Sequence, residues 1–173
     1  MQIINSTIVD IEEIFRLYKI ASDYQKEKKT VVVWPDFDKI MVEKEIAENR
    51  QWKLVVNNVI ICVWAITFSD EQIWEKRNED AAIYIHRIAT NPEFRGQNFI
   101  KIIVDWAREY ALENKKEYIR LDTLGNNTKL IEHYCNSGFN FLGMFELKHT
   151  NELPLHYQKE PNCCLFEIKI ESK

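Results

Sequence analysis

The middle of the chain alternates strand-like and helix-like segments, and this alternation constrains the fold more than any other feature. Ala82–Ala89 is rich in residues that favour strands, and from about Asn98 the apolar residues recur with helical spacing. A strand at Tyr118–Thr123, a helix at Asn127–Asn136 and a strand from Phe139 follow. Strands separated by helices require a sheet with parallel neighbours at its centre. The apolar face of the long helix is expected to comprise Phe99, Ile103, Trp106 and Tyr110.

Both ends of the chain carry patterns typical of antiparallel strands. The turn-prone pair Asn57-Asn58 separates two strand-like runs, which predicts a hairpin. Asp10 is expected to cap the first helix in a capping box with Glu13. The sequence therefore predicts an α+β fold with a mixed central β-sheet of about six or seven strands flanked by helices. The terminal strands are predicted at Gln2–Ile4, Gln51–Val56, Val59–Phe68 and Cys164–Ile170, with helices from about Ile11 and over about Asp38–Glu48.

The length and composition fit one soluble domain. A chain of 173 residues can bury a single core, so residues 1–173 are expected to form one domain. No apolar run reaches the ~18 residues that a membrane-spanning helix needs. The first residues also lack the basic start and apolar stretch of a signal peptide. We therefore expect a cytoplasmic protein without a membrane partner.

The charge and the cysteines argue against two further classes of function. A net charge of −4 argues against a broad nucleic-acid-binding surface, which needs clustered lysine and arginine. The four cysteines lack the paired spacing of a zinc site, so no metal is expected. Cys62 lies in an apolar run, where a thiol usually acts as a small hydrophobic group.

The segment from Asn91 to Ile100 joins the central strand to the long helix. The first N–H groups of a helix have no partners within it, and together with the helix dipole they favour an anion such as a pyrophosphate. Gly96 allows the backbone to approach an anion closely, and Asn98 tolerates unusual φ angles. Taken alone, the segment is equally compatible with an ordinary strand-to-helix connection.

A second informative segment runs from Asn126 to Phe139. Asn127 is placed to cap a helix, and Gly138 is placed to end it as a left-handed cap. Tyr134 lies about two turns beyond Asn127, so both residues fall on the same side of that helix. On its own, a tyrosine in this position is more commonly a core residue with a hydrogen-bonded hydroxyl.

In this order and spacing, the two segments resemble the GNAT superfamily of N-acetyltransferases. The first is similar to its pyrophosphate loop, Arg/Gln-x-x-Gly-x-Gly/Ala, with Arg95 in the first position. The second is similar to its Asn-x-x-Ala-x-x-x-Tyr-x-x-x-Gly-Phe segment, with matches at Asn127, Tyr134, Gly138 and Phe139. The chain departs from these patterns at Asn98, where glycine is expected, at Ile100, where a small residue is expected, and at Leu130, where alanine is usual.

The resemblance implies an acyl-CoA N-acyltransferase-like fold with splayed central strands. It implies acetyl-CoA as co-substrate, no metal, and direct transfer of the acetyl group to an amine of a small molecule or peptide. Tyr134 would lie beside the thioester sulfur and protonate the departing thiolate. The backbone of Ile88, Ala89 and Thr90 would pair with the pantetheine arm of the cofactor. The pyrophosphate loop would comprise Arg95, Gly96, Gln97, Asn98, Phe99 and Ile100. Asn127 would form a hydrogen bond near the pantetheine or phosphate.

The proton acceptor has three candidates: His86, Tyr84 and a chain of water molecules. Tyr84 and His86 share one face of the predicted strand, and relatives carry a base at similar offsets before Arg95. An ordinary histidine pKa of about 6.5 suits proton transfer near neutrality, which favours His86. A structural histidine hydrogen-bonded within the sheet is the alternative interpretation of His86.

The resemblance assigns acceptor recognition to two segments, Trp34–Asp38 and the stretch from His149 to Pro161. Aromatic and acidic groups together suit a cationic amine, but a surface turn anchored by one buried tryptophan is the simpler interpretation. The identity of the amine and the choice between monomer and homodimer stay open. A non-catalytic acyl-CoA-binding or regulatory domain on the same fold is an alternative function, suggested by Asn98 and Ile100, and an unrelated α+β protein is a third.

Overall fold

The computed structural model describes residues 1–30, 32–148 and 150–171. These residues form seven strands and six helices, which confirms the predicted α+β fold. None of the helices within the described ranges is long and apolar enough to cross a membrane. The strands are β1 (Gln2–Asn5), β2 (Gln51–Val56), β3 (Val59–Thr67), β4 (Ala82–Thr90), β5 (Tyr118–Leu124), β6 (Asn140–Glu146) and β7 (Asn162–Lys169). The helices are α1 (Ile11–Glu27), α2 (Lys39–Ala47), α3 (Glu71–Trp74), α4 (Phe99–Glu113), α5 (Thr128–Asn136) and α6 (Leu155–Lys159).

The strands form one mixed sheet in the order β1-β2-β3-β4-β5-β7-β6. Strands β4 and β5 are parallel, and their pairing aligns Ala82–Tyr84 with Tyr118–Arg120. The β2–β3 hairpin is antiparallel, and so are the pairs β1–β2, β5–β7 and β6–β7. The sheet thus has the parallel centre and antiparallel flanks that the sequence predicts.

The described chain divides into two compact units. The first comprises Met1–Ile66 and Ile85–Gln97, and the second comprises Thr67–Tyr84 and the chain from Asn98 onward. Strand β4 therefore contributes its first residues to the second unit and its last residues to the first. The expectation of one domain over residues 1–173 stays a prediction.

The core of the first unit is built on α1 and α2. Ile14 and Leu17 of α1 are fully buried together with Val42 of α2. Residues spaced by three or four positions lie on one helix face, so a single apolar stripe of α1 faces this core. Helix α2 begins where the side chain of Asp38 accepts a hydrogen bond of 2.9 Å from the N–H of Ile40.

The start of α1 differs from the prediction. A short 3₁₀ turn ends at Asp10, which therefore has helical backbone angles, and its carboxylate does not cap α1. The carboxylate instead accepts hydrogen bonds from the N–H of Thr7 (2.7 Å) and from Nζ of Lys53 (2.6 Å). Glu13 forms an ion pair with an arginine of the same helix. The predicted capping box of Asp10 with Glu13 is wrong, because the capping position lies one turn earlier, at Thr7.

The core of the second unit contains a buried cation. Arg120 of β5 is only 1% exposed and forms ion pairs with Asp80 and Glu167. Its guanidinium lies 4.8 Å from the centre of the Trp74 ring. A charge this deep in a protein requires such partners, because burial without them is costly.

Helix α4 buries a face that differs in part from the prediction. Phe99 and Ile103 are buried as expected, whereas Trp106 and Tyr110 are half-buried and stack on each other at 5.1 Å. The buried face of α4 is therefore made mainly of smaller apolar residues, with the two rings at its margin. The remaining buried residues of α4 are Ile100, Val104, Ala107 and Ala111.

Candidate functional site

The segment before α4 has a left-handed backbone at two positions. Gly96 has a φ of 82°, and Asn98 has φ 51° and ψ 46°. Glycine adopts such angles freely, and asparagine does so more readily than most residues. Helix α4 begins directly afterwards at Phe99, so the free N–H groups of its first turn follow this bend. The segment therefore has the turn and helix start that an anion requires.

Ile100 belongs to the buried face of α4. Its side chain is 5% exposed, next to the buried Phe99. The branched side chain is therefore packed in protein, and the backbone N–H is the group through which this position can contact an anion.

Asn91 and Arg95 hold the start of the same segment. The N–H of Asn91 donates to the carbonyl oxygen of Ile61 (2.8 Å), and its side chain accepts from the N–H of Glu93 (3.2 Å). The exposed Arg95 guanidinium lies 4.4 Å from the centre of the Tyr24 ring. The sequence did not reveal this cation–π contact, because Tyr24 lies on α1, far away along the chain.

Helix α5 orients the two residues predicted on it. The side-chain oxygen of Asn127 accepts a hydrogen bond from the N–H of Leu130 (3.2 Å), which confirms the predicted cap and does not involve the amide NH₂. The half-buried ring of Tyr134 packs against Phe166 (5.3 Å between centroids) and Phe139 (5.9 Å). These aromatic contacts fix the direction of the phenol.

His86 has a strongly altered acidity. Burial, followed by the positive charges of Arg87 and Arg50, lowers the pKa of His86 to about 3. A buried imidazolium beside two cations is disfavoured, so the ring is neutral at pH 7. The expectation of an ordinary pKa near neutrality for His86 is therefore wrong.

Tyr84 is a core residue of the second unit. Its side chain is fully buried, and its Oη accepts a hydrogen bond from Nη1 of Arg120 (3.3 Å). Burial raises the pKa of this phenol. Because a proton acceptor would have to be the phenolate, this environment disfavours Tyr84 as a base.

The aromatic residues around Trp34 already enclose a cation of the protein itself. Trp34 and Phe37 pack edge to face with Tyr18, at centroid distances of 6.0 and 5.1 Å. The guanidinium of Arg87 lies 5.4 Å from the Phe37 ring and 6.0 Å from the Tyr18 ring. Trp34 is only partly buried within this cluster, so the simpler interpretation of the Trp34–Asp38 segment, a turn anchored by one buried tryptophan, stays a prediction.

The second unit contains a cluster of titratable side chains that the sequence did not predict. The Tyr157 hydroxyl donates to Oδ2 of Asp122 (2.9 Å), and the Cys163 thiol lies 3.5 Å from the same oxygen. Burial, together with the charge of Asp122, raises the pKa of Asp70 to about 8. Tyr157 lies on α6, within the predicted acceptor stretch, of which His149 falls outside the described residues.

Comparison with known proteins decides the family. The model described as "Acetyltransferase (GNAT) family" matches residues 11–139, most of the chain. The chain belongs to the GNAT family. This confirms the resemblance found in the segments around Arg95 and Tyr134.

Three proteins illustrate how this GNAT chain relates to others. "Uncharacterized N-acetyltransferase YesJ" of Bacillus subtilis is 30% identical over 74 residues, which is 43% of this chain and only 41% of the YesJ chain. A GNAT-family acetyltransferase from Listeria monocytogenes superimposes with a TM-score of 0.77 at 21% identity, over 98% of this chain and 94% of the other. The Salmonella typhimurium protein yncA, solved with its cofactor acetyl-CoA, superimposes with a TM-score of 0.70 at 11% identity, over 100% of this chain and 95% of the yncA chain. These two structures establish the GNAT fold of the chain.

Proposed function

We propose that this chain is an acetyl-CoA-dependent N-acetyltransferase that moves the acetyl group directly to an amine of a small molecule or peptide. The observation that carries the proposal is the left-handed backbone of Gly96 and Asn98 directly before the 15-residue helix α4. Membership of the GNAT family supports it further. The cytoplasmic location remains a prediction.

The proposal assigns the pyrophosphate to the backbone N–H groups from Gly96 to Ile100. Asn98 supports the fit because it adopts the backbone angles that glycine would otherwise supply. Ile100 supports it because its buried side chain leaves the N–H as the contacting group. Arg95, which is exposed and directly precedes these residues in the chain, adds a positive charge to the segment.

The pantetheine arm is assigned to backbone groups at the end of β4, in Ile88, Ala89 and Thr90. An extended backbone can pair with an amide-containing chain in the way that a strand pairs with its neighbour. The amide NH₂ of Asn127 serves as a donor, because the cap of α5 uses only the side-chain oxygen.

Two side chains are assigned to the proton movements of the reaction, Tyr134 as the proton donor and His86 as the group that orients the amine or a water molecule. Bound acetyl-CoA supplies the thioester, and the Tyr134 phenol donates its proton to the sulfur that leaves. The neutral imidazole of His86 accepts a hydrogen bond from the attacking amine or from a water molecule. Because the pKa of His86 is about 3, the imidazole orients this proton and water carries it away.

Calorimetry with acetyl-CoA tests the proposal first, because a chain that keeps the GNAT fold without a working cofactor site would bind none. Release of free thiol is then measured with polyamines, amino acids, aminoglycosides and peptide N-termini. Turnover with one amine class supports the enzyme and names its acceptor. Tight binding without thiol release from any amine would favour a regulatory acyl-CoA-binding domain instead.

A further inference from the structure

Arg87 has a left-handed backbone in the middle of a strand. Its φ is 52°, although it lies within β4. A residue with a Cβ is strained at such backbone angles, and a regular strand does not require them. Strained residues persist only where surrounding contacts hold them.

The contacts that hold Arg87 come from α1, α2 and the segment between them. Its guanidinium forms an ion pair with Glu45 of α2 and donates to Oη of Tyr18 on α1 (3.4 Å). The face of Phe37 covers it at 5.4 Å. The side chains of Arg87 and Glu45 are 15% and 8% exposed, so this is a buried ion pair.

A buried ion pair is a poor way to gain stability alone. Taking both charges out of water offsets most of their attraction, and apolar residues of similar size often stabilise a core equally well. An ion pair does, however, fix the orientation of the side chains that form it, which apolar contacts do less strictly. Here it fixes the Arg87 side chain and thereby restrains the backbone of Arg87, which is followed directly by Ile88.

We propose that Arg87, held by Glu45, is a positioning residue that sets the backbone geometry of Ile88–Thr90. The inference rests on the proposed function, which assigns this backbone to the pantetheine arm. The strained residue immediately precedes the pairing segment, so a change in its φ displaces every N–H and C=O that follows. The ion pair and the Phe37 contact prevent that change.

The test uses Glu45→Gln and Arg87→Gly, with Asp10→Asn as matched control. Glu45→Gln keeps the shape and removes the charge, whereas Arg87→Gly keeps the left-handed angle accessible and removes the side chain. Asp10→Asn breaks another ion pair of the same unit, between Asp10 and Lys53 at 2.6 Å, whose side chains are also poorly exposed, at 10% and 12%. Any general loss of stability is therefore matched.

Amide hydrogen exchange of the free proteins is the first readout, because it does not depend on the cofactor. We expect exchange at Ile88–Thr90 to accelerate in both variants and to stay at the wild-type rate in Asp10→Asn. We also expect the Kd and KM for acetyl-CoA to rise by roughly tenfold, with kcat less affected, since small displacements of a positioning group weaken its contacts. Arg87→Lys keeps the charge, so its exchange rates and its Kd for acetyl-CoA are expected to lie between those of the wild type and those of Arg87→Gly.

Unchanged exchange and affinity in variants that lose only thermal stability would overturn the positioning role. A wild-type protein that binds no acetyl-CoA would overturn the proposed function, and with it the assignment of Ile88–Thr90 to pantetheine. Faster exchange at these amides in Glu45→Gln and Arg87→Gly would still establish that the ion pair restrains the backbone. The exchange data therefore distinguish a failure of the positioning role from a failure of the proposed function.

Discussion

The phenol of Tyr157 donates a 2.9 Å hydrogen bond to Oδ2 of Asp122. A carboxylate oxygen of Asp70 lies within 4.8 Å of one of Asp122. Two carboxylates this close disfavour double ionisation, and burial, the larger cause, adds to the effect, so the pKa of both groups is raised. The pKa of Asp70 is raised to about 8, so this carboxyl group is largely protonated at neutral pH.

Replacing Asp70 with asparagine should increase the stability relative to the wild type, and this increase should be larger at higher pH. The pKa of Asp70 is about 8 in the folded chain and 3.8 in the reference state, so between these values the folded protein binds the extra proton. The wild type therefore loses stability as the pH rises from about 4 to about 8, and each pKa unit corresponds to about 1.4 kcal/mol. The Tm of Asp70→Asn minus that of the wild type should grow over this range.

Asp10→Asn is the control for that experiment, because the pKa of Asp10 is lowered in the folded protein, whereas the pKa of Asp70 is raised. Burial opposes ionisation of Asp10, but the contacts with Lys53 and Thr7 outweigh it and lower its pKa. Its contribution is therefore present above about pH 4 and lost as the pH falls below it, so this variant should be less stable than the wild type at pH 7. A pH-independent difference for Asp70→Asn would contradict the raised pKa.

The pH dependence of the transfer rate should contain no step from His86 between pH 5 and 7. With a pKa of about 3, the imidazole stays neutral throughout this range. His86→Gln is expected to lower kcat by about 10–100-fold without changing the shape of the profile, because an oriented hydrogen bond is lost and no titration is removed. The measurement is the rate of thiol release from pH 5 to 9.

A wild-type acidic limb near pH 6.5 that disappears in His86→Gln would contradict the lowered pKa. It would reinstate His86 as the group that stores the proton.

Local patterns account for what could be predicted from the sequence. The hairpin strands at Gln51–Val56 and Val59–Thr67 follow from β-branched runs around Asn57-Asn58, and the ends of α5 follow from its asparagine cap and Gly138. The altered pKa of His86 could not be predicted, because it depends on burial in the folded protein and, to a smaller extent, on the charges of Arg87 and of Arg50, which the fold brings near. The left-handed Arg87 was also invisible, since a strand pattern carries no signal for a strained residue inside it.

Asn98→Gly should leave the loop intact, whereas Asn98→Val should damage it. Asn98 has a φ of 51°, which glycine adopts freely and a β-branched residue adopts at a cost of about 1–2 kcal/mol. The strain in Asn98→Val either lowers the Tm or is relieved by a shift of the loop that raises the Kd for acetyl-CoA. Thermal unfolding and calorimetry measure both, with Lys115→Val as the control, because it strains an exposed left-handed residue (φ 54°) at the other end of α4. Equal behaviour of the valine and glycine variants would show that the left-handed angle is not needed.

Tyr134→Phe should separate the chemistry of the phenol from its packing. Phenylalanine keeps the ring between Phe139 and Phe166 and removes only the hydroxyl. If the phenol protonates the leaving sulfur, kcat should fall by about 10²–10³-fold while the Kd for acetyl-CoA stays within about twofold. Tyr110→Phe on α4 removes a hydroxyl from a half-buried tyrosine without a proposed role and should retain full kcat. A Tyr134→Phe enzyme that turns over at the wild-type rate would leave Tyr134 as a packing residue and move the proton donor to solvent.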